Sequence, residues 1–144
     1  MRKRPRLETR RSTVADKLKT SASGPPFTIR MGLPHMDELW SDLNSKLSTG
    51  RLTKNEERLY RKWGKALQLL SLNPFYPGLS SHEISSLTQK YGKKIFESYL
   101  ENRTPGAARM FWTYGPERAE ITILALEPHP ENNEYGKVKL DAEP

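Results

Sequence analysis

Residues 94–127 read KIFESYLENRTPGAARMFWTYGPERAEITILALE, and the rest of the predicted fold is built around them. It contains three runs rich in β-branched and aromatic residues: Lys94 to Glu101, Ala107 to Tyr114, and Ala119 to Glu127. Turn-forming residues separate the runs, among them Pro105-Gly106 and Gly115-Pro116. Because short turns join consecutive strands only when the strands run antiparallel, this stretch predicts a three-stranded antiparallel meander.

Toward the N-terminus, the sequence predicts one short strand and two helices. Phe27 to Met31 alternates apolar and polar residues, which is typical of a strand. Apolar residues then recur at helical spacing from Met36 to Leu47. Thr53 and Glu56 have the spacing of a capping box at the start of the second helix, and Asn73-Pro74 ends that helix.

Together these elements predict an α+β fold: a strand, a two-helix hairpin and the three-stranded meander, with the helices covering one face of the sheet. A short helix or turn is expected over residues 82–91. A last run, Lys137 to Leu140, is expected to be an edge strand or a frayed turn. The length of 144 residues suits a single folded domain, which we place at residues 27–144.

The positive charge of the chain is concentrated in its first 26 residues. The formal net charge is +7, and residues 1–26 hold eight basic and two acidic residues, a net of +6. The rest of the chain holds 16 basic and 15 acidic residues, a net of +1. With few large apolar groups and the run Gly24-Pro25-Pro26, residues 1–26 are expected to form a disordered basic tail. The tail is either an arm that binds nucleic-acid phosphates or a dispensable leader.

The composition excludes several classes of protein. The chain has no cysteine, which excludes disulfides, thiolate zinc sites and a cysteine nucleophile. No apolar run is long enough to span a membrane and none resembles a secretory signal, so we expect a cytoplasmic protein. Phosphate-binding glycine loops and nucleophile elbows are absent, and the three histidines (His35, His82 and His129) lie far apart in the sequence. We therefore expect neither a cofactor nor a metal.

Polar side chains of the predicted meander form the candidate catalytic site. Strand alternation places Glu97, Tyr99 and Glu101 on one face of the first of its strands. Arg109 lies on the same exposed face if the hairpin pairs in the register that turns the more apolar faces toward the helices. His129 follows the last strand, between two prolines that restrict its backbone. The sequence therefore predicts a carboxylate, an arginine and a histidine on one face.

Those three groups could cleave RNA without a metal. The carboxylate would take the proton of a ribose 2′-hydroxyl, the arginine would neutralise the pentavalent phosphorane, and the charged histidine would protonate the departing 5′ oxygen. The alternative is that Arg109 forms an ordinary cross-strand ion pair with Glu97 or Glu101, and that His129 is a solvent-facing loop residue.

The second predicted helix has a basic face opposite its apolar stripe. This face either binds a nucleic-acid backbone or an acidic partner, or is a solvated helix surface. Arg103, in the first turn of the meander, is the further residue predicted to bind RNA. The basic residues of the helix face are Arg58, Arg61, Lys62 and Lys65.

Several segments together resemble one known family. They are residues 73–74, 77–84, 96–102, 104–109, 120–123 and 127–131. Over residues 27–141, in the order strand, helix pair and meander, the chain resembles the RelE/ParE superfamily of toxins from type II toxin–antitoxin systems, often called plasmid stabilisation proteins. The RelE branch implies a growth-inhibiting, ribosome-dependent endonuclease that cuts mRNA. The ParE branch implies a DNA gyrase poison that acts by binding, and a diverged toxin that only binds its antitoxin is a third alternative.

The resemblance also implies roles for single residues. Arg109 matches the arginine expected to hold the scissile phosphate. His129 falls where the family often has a basic residue that acts as an acid or stabilises the transition state. Tyr135 falls where a tyrosine is expected to stack on a base or orient the 2′-hydroxyl. Glu97 is the expected base, with Glu101 as its substitute, and the implied partners are a cognate antitoxin together with mRNA and the ribosome, or DNA gyrase.

Overall fold

The computed structural model of the protein describes residues 26–100, 108–128 and 140–141, apart from the side chain of Pro128. The elements in chain order are β1 (Thr28–Met31), α1 (His35–Ser48), α2 (Lys54–Leu72), a 3-10 turn (Pro77–Leu79), β2 (His82–Glu83), α3 (Ser85–Tyr91), β3 (Phe96–Tyr99), β4 (Ala108–Tyr114) and β5 (Glu120–Pro128). The predicted tail through residue 25 and residues 137–139 of the last predicted run lie outside the described residues.

The strands form one open sheet in the order β1-β5-β4-β3-β2. β3, β4 and β5 are antiparallel neighbours, which confirms the predicted meander. β1 pairs with β5 in parallel, with Thr28 opposite Glu120, so the sheet is mixed. β2, which the sequence did not predict, adds a fifth strand by pairing antiparallel with β3. The described residues therefore form an α+β fold with three helices and a five-stranded mixed sheet.

The two long helices form where the sequence predicts them. At the start of α2, the Glu56 backbone N–H donates to Thr53 Oγ1 at 3.1 Å, and the Thr53 N–H donates to Glu56 Oε1 at 3.0 Å. This reciprocal pair confirms the capping box. α2 ends at Leu72, directly before Asn73-Pro74. None of the helices in the described part of the chain has the length and apolar character needed to cross a membrane.

Both faces of the sheet are covered by helices. α1 and α2 pack on one face, where Trp63 of α2 and Trp112 of β4 are wholly buried. Phe111 points to the opposite face, where it packs with Leu87 of α3 and with Leu124. The two predicted helices thus cover one face, as expected, and the other face, which the sequence predicted to be exposed, is covered by the apolar side of α3.

Candidate active site

Glu97, Tyr99 and Arg109 meet on the second face of the sheet. The register of β3 with β4 sets Tyr99 opposite Arg109 and Glu97 opposite Phe111, which confirms that the three side chains share a face. Arg109 Nη1 donates to Glu97 Oε2 at 3.4 Å. The guanidinium carbon lies 3.9 Å from the centre of the Tyr99 ring, a cation–π contact. Alternation along two paired strands is thus sufficient to bring these groups together.

In this cluster of Glu97, Tyr99 and Arg109, the two charged residues are buried, whereas the sequence predicted an exposed face. Glu97 has no exposed surface, and Arg109 is only 9% exposed. The physical reason is that β2 pairs along the outer side of β3 and α3 packs on this face, so Glu97 lies inside the sheet rather than at its rim. A buried carboxylate needs compensating partners, and Arg109 is the first of them.

His82 is the second partner, and sequence reasoning did not assign it to the site. β2 pairs His82 directly opposite Glu97, and His82 Nε2 lies 3.0 Å from Glu97 Oε1. On the other side of the ring, Nδ1 lies 2.8 Å from the carbonyl oxygen of Ser80. The His82 side chain is 46% exposed, so the cluster reaches solvent through this ring. A strand of two residues has no periodicity, so no sequence pattern could have revealed this pairing.

A chain of hydrogen bonds on the first face of the sheet anchors the residue before His82. The Trp112 indole N–H donates to Ser98 Oγ at 2.8 Å. Ser98 Oγ lies 2.6 Å from Ser81 Oγ, which donates to the carbonyl oxygen of Pro74 at 2.6 Å. Because a carbonyl only accepts, the Ser98 hydroxyl donates to Ser81, and every link of the chain is satisfied. These bonds hold the start of β2 against β3 and so position the His82 ring.

The guanidinium of Arg109 retains capacity for another acceptor. Arg109 Nε is buried and has no hydrogen-bond partner among the described residues. A guanidinium has five N–H donors, and Glu97 engages one of its nitrogens. The cluster therefore suits an anionic ligand such as a phosphate group.

The structure separates the predicted RNA-binding helix face from this cluster. Arg58, Arg61 and Lys65 are exposed on α2, and Lys62 is partly buried there. Since α2 packs on the first face of the sheet, its basic face and the cluster lie on opposite sides of the sheet.

Four predicted site residues lie outside the described residues, and their roles stay predictions. They are Glu101, Arg103, His129 and Tyr135.

Within the described ranges, no three histidine, aspartate or glutamate side chains gather closely enough to hold a metal ion.

Comparisons of the chain with protein-family models, with curated proteins and with solved structures found no match. Evidence on function therefore comes from the geometry of the cluster and from the resemblance of the sequence to the RelE/ParE superfamily.

Proposed function

We propose that this protein is the toxin of a type II toxin–antitoxin system and acts as a metal-independent, ribosome-associated mRNA endonuclease in the cytoplasm. The observation that supports this proposal most directly is the cluster itself. It joins the buried pair of Arg109 and Glu97 to a solvent-reaching His82 on one face of the sheet. We also propose that the strands are arranged as in RelE-type toxins.

Arg109 has the central chemical role in this proposal. Cleavage by a ribose 2′-hydroxyl passes through a pentavalent phosphorane that carries more negative charge than the starting diester. A guanidinium that is already held in place stabilises such charge without reorganising, and a site with little water strengthens the effect. The Tyr99 ring and Glu97 hold the guanidinium from two sides, and the buried Arg109 Nε has no hydrogen-bond partner among the described residues.

Docking to the ribosome is assigned to other surfaces. The folded part of the chain is nearly neutral, so contact with ribosomal RNA needs locally concentrated positive charge. The exposed basic face of α2 and the basic residues of positions 1–26 supply such charge, and Arg103 is proposed to contact RNA as well. In this arrangement α2 contacts the ribosome, and the mRNA meets the cluster on the opposite side of the sheet, where the His82 ring reaches solvent.

A cognate antitoxin is the expected protein partner. Toxins of this kind are silenced by a protein encoded beside them, so a small neighbouring reading frame should encode a DNA-binding module with a flexible tail. The absence of such a reading frame would weaken the toxin assignment.

Induced expression in bacteria tests the function. The unmodified protein is expected to halt growth and to produce cut transcripts, whereas the double variant Arg109→Ala, His129→Ala is expected to be harmless. Arg109→Lys keeps the charge but loses the planar fork of donors, so it should also lose most cleavage while remaining folded. Arg118→Ala, which removes an exposed arginine from the turn before β5, is the matched control and should act like the parent.

Other outcomes separate the alternatives. Induction of the DNA-damage response without cut transcripts, unaffected by the loss of His129, would indicate a gyrase poison. Harmless expression with retained binding to the antitoxin would indicate an inactive toxin. A double variant that kills as well as the parent would show that the proposed site is wrong.

A further inference from the structure

We propose that His82 is the general acid of the cleavage and that Glu97 is the residue that positions it; this inference depends on the nuclease function proposed above. The sequence indicated a histidine acid but placed it after the last strand, at His129. The structure places a different imidazole, that of His82, within hydrogen-bond distance of the buried carboxylate.

Hydrogen-bond geometry supplies the ring with a proton to donate. A carbonyl oxygen only accepts, so the contact of 2.8 Å between Nδ1 and the Ser80 oxygen requires a hydrogen on Nδ1. Nε2 lies 3.0 Å from Glu97 Oε1, close enough for a hydrogen on this nitrogen to be donated to the carboxylate. A doubly protonated ring satisfies both contacts.

His82 and Glu97 differ in solvent exposure, and this difference assigns each a role. Glu97 has no exposed surface, and its two carboxylate oxygens face His82 Nε2 and Arg109 Nη1. The His82 side chain is 46% exposed and is thus the member of the pair that can meet a substrate. Glu97 acts through the ring by fixing its orientation and stabilising its charge, as an orienting carboxylate does for a catalytic histidine.

The Ser80 carbonyl oxygen occupies the position that we assign to the departing 5′ oxygen of the substrate. Ser80 is exposed and has a φ of 50°, so its carbonyl belongs to a solvent-facing turn rather than to the sheet. Its oxygen accepts a hydrogen bond from Nδ1, the ring nitrogen that points away from Glu97. We place the departing 5′ oxygen of the substrate at this position, where it replaces the Ser80 carbonyl as the acceptor of the Nδ1 hydrogen.

The proton balance of the step is simple. The 2′ oxygen gives its proton to a solvent water and bonds to phosphorus. The bond between phosphorus and the 5′ oxygen then breaks, its electron pair goes to the 5′ oxygen, and this oxygen takes the proton from His82 Nδ1. The products are a 2′,3′-cyclic phosphate and a 5′-hydroxyl, and His82 remains as a neutral ring whose Nε2–H donates to Glu97.

A substrate with a sulfur leaving group tests this assignment. We would compare ribosome-bound mRNA carrying an ordinary linkage with the same mRNA carrying sulfur in place of the bridging 5′ oxygen at the cleavage position. A thiolate leaves without protonation, so loss of the acid matters only for the oxygen linkage. His82→Ala is expected to slow cleavage of the oxygen linkage by about 10²–10⁴-fold and to cleave the sulfur linkage at close to the unmodified rate. Arg109→Lys is expected to be slow on both linkages.

Three further variants sharpen the comparison. Glu97→Gln is expected to follow His82→Ala, slow on oxygen and faster on sulfur. His82→Asn serves if His82→Ala does not fold. His35→Ala is the matched control, because His35 also contacts a buried carboxylate, Asp141, at 2.8 Å but lies outside the cluster, and it should cleave both linkages normally.

The outcomes distinguish this inference from the function it depends on. If the His82 variants are equally slow on both linkages, His82 is not the acid, although the protein is still a nuclease. If Glu97→Gln alone is equally slow on both, the role given to Glu97 is overturned. If the unmodified protein cleaves neither linkage, the nuclease function fails and this inference fails with it.

Discussion

Glu97 is a carboxylate without exposed surface, placed between two side chains that can carry positive charge. Taking a charge out of water costs several kcal/mol, and its partners offset that cost only while all of them are present. Arg109 is nearly as deeply buried as Glu97. Besides its contact with Glu97, its guanidinium makes a cation–π contact with the face of the Tyr99 ring. The stability of the sheet around the cluster therefore depends on the pair, whatever its part in catalysis.

Removing the Glu97 carboxylate should destabilise the fold strongly. Glu97→Ala leaves the buried guanidinium of Arg109 without its counter-charge, and we expect a loss of about 3–5 kcal/mol in the free energy of unfolding. Urea unfolding followed by circular dichroism measures it. Glu117→Ala, at an exposed glutamate of the turn before β5, should change the free energy by less than about 0.5 kcal/mol. A Glu97→Ala protein as stable as the Glu117 variant would mean that the buried pair contributes nothing.

Single residues also show how far the site could be predicted. Glu97 and Arg109 follow from alternation along two strands, because a period of two fixes the face of every side chain once the register is known. His82 does not follow, because its place depends on a two-residue strand whose pairing is fixed by Ser81 and Ser98. The burial of the cluster was missed for the same reason, since β2 and α3 enclose it.

Among the elements, α1 and α2 are joined by an ion pair at one end of the helix hairpin. Lys46 Nζ lies 2.8 Å from Glu56 Oε2 and 3.2 Å from Asp42 Oδ2. The hydrogen bond from Lys46, followed by that from the Thr53 backbone, holds the pKa of Glu56 below its ordinary value of 4.5. The hydrogen bonds to Glu56 and Asp42 raise the pKa of Lys46 above 10.5. The same glutamate thus serves the capping box of α2 and the contact with α1.

These shifts predict an acid-dependent contribution to stability. The folded protein binds the Glu56 proton less tightly than the unfolded chain, so stability from this group is complete above pH 4.5 and is lost as the pH falls through its lowered pKa. The Lys46 contribution is complete below pH 10.5 and is lost as the pH rises through its raised pKa. Glu56→Gln keeps a capping side chain but removes the charge, so it should be less stable than the parent at neutral pH and converge with it in acid.

Urea unfolding across the acid range measures this convergence. Glu57→Gln, at the neighbouring exposed position of α2, is the control and should parallel the parent at every pH. A gap between the parent and Glu56→Gln that stays constant down to strongly acidic pH would contradict the assignment.

The elements that were predicted differ physically from those that were not. α2 has a capping box, an apolar stripe and a stop at Asn73-Pro74, and β3 to β5 have strong strand composition with turns between them. The parallel pairing of β1 with β5 has no local signal, because residues 28–31 and 120–123 are distant in sequence. β2 and the covering role of α3 are likewise set by tertiary contacts, so the second covered face of the sheet could not be read from periodicity.

At the scale of the whole molecule, Asp141 ties the C-terminal region to the start of α1. Asp141 Oδ2 accepts from the Met36 backbone N–H at 2.9 Å, and Oδ1 lies 2.8 Å from His35 Nδ1. The Asp141 N–H donates to the carbonyl oxygen of Leu124 in β5 at 2.9 Å. Gly32 passes so close that an added Cβ would lie 2.9 Å from Asp141 Cβ, so a glycine is needed at this crossing. The helix is thus capped by a residue more than a hundred positions away.

Loss of this cap should destabilise the whole fold without touching the cluster. Asp141→Ala leaves the Met36 N–H without its acceptor, and we expect a loss of about 0.5–2 kcal/mol in the free energy of unfolding. Asp141→Asn retains an acceptor oxygen and should lose less. Thermal unfolding of the three proteins makes the comparison. If Asp141→Ala unfolds at the parent's temperature, the contact with α1 is not a functional cap.

The chemistry of the new RNA ends shows whether the cluster around Arg109 cuts RNA. We would incubate the purified protein with ribosomes stalled on a defined mRNA and determine the ends of every product. The proposed mechanism predicts 5′-hydroxyl and 2′,3′-cyclic phosphate ends with the unmodified protein and with Arg118→Ala, and none with Arg109→Ala. Intact mRNA with the unmodified protein, or unchanged cleavage by Arg109→Ala, would contradict it.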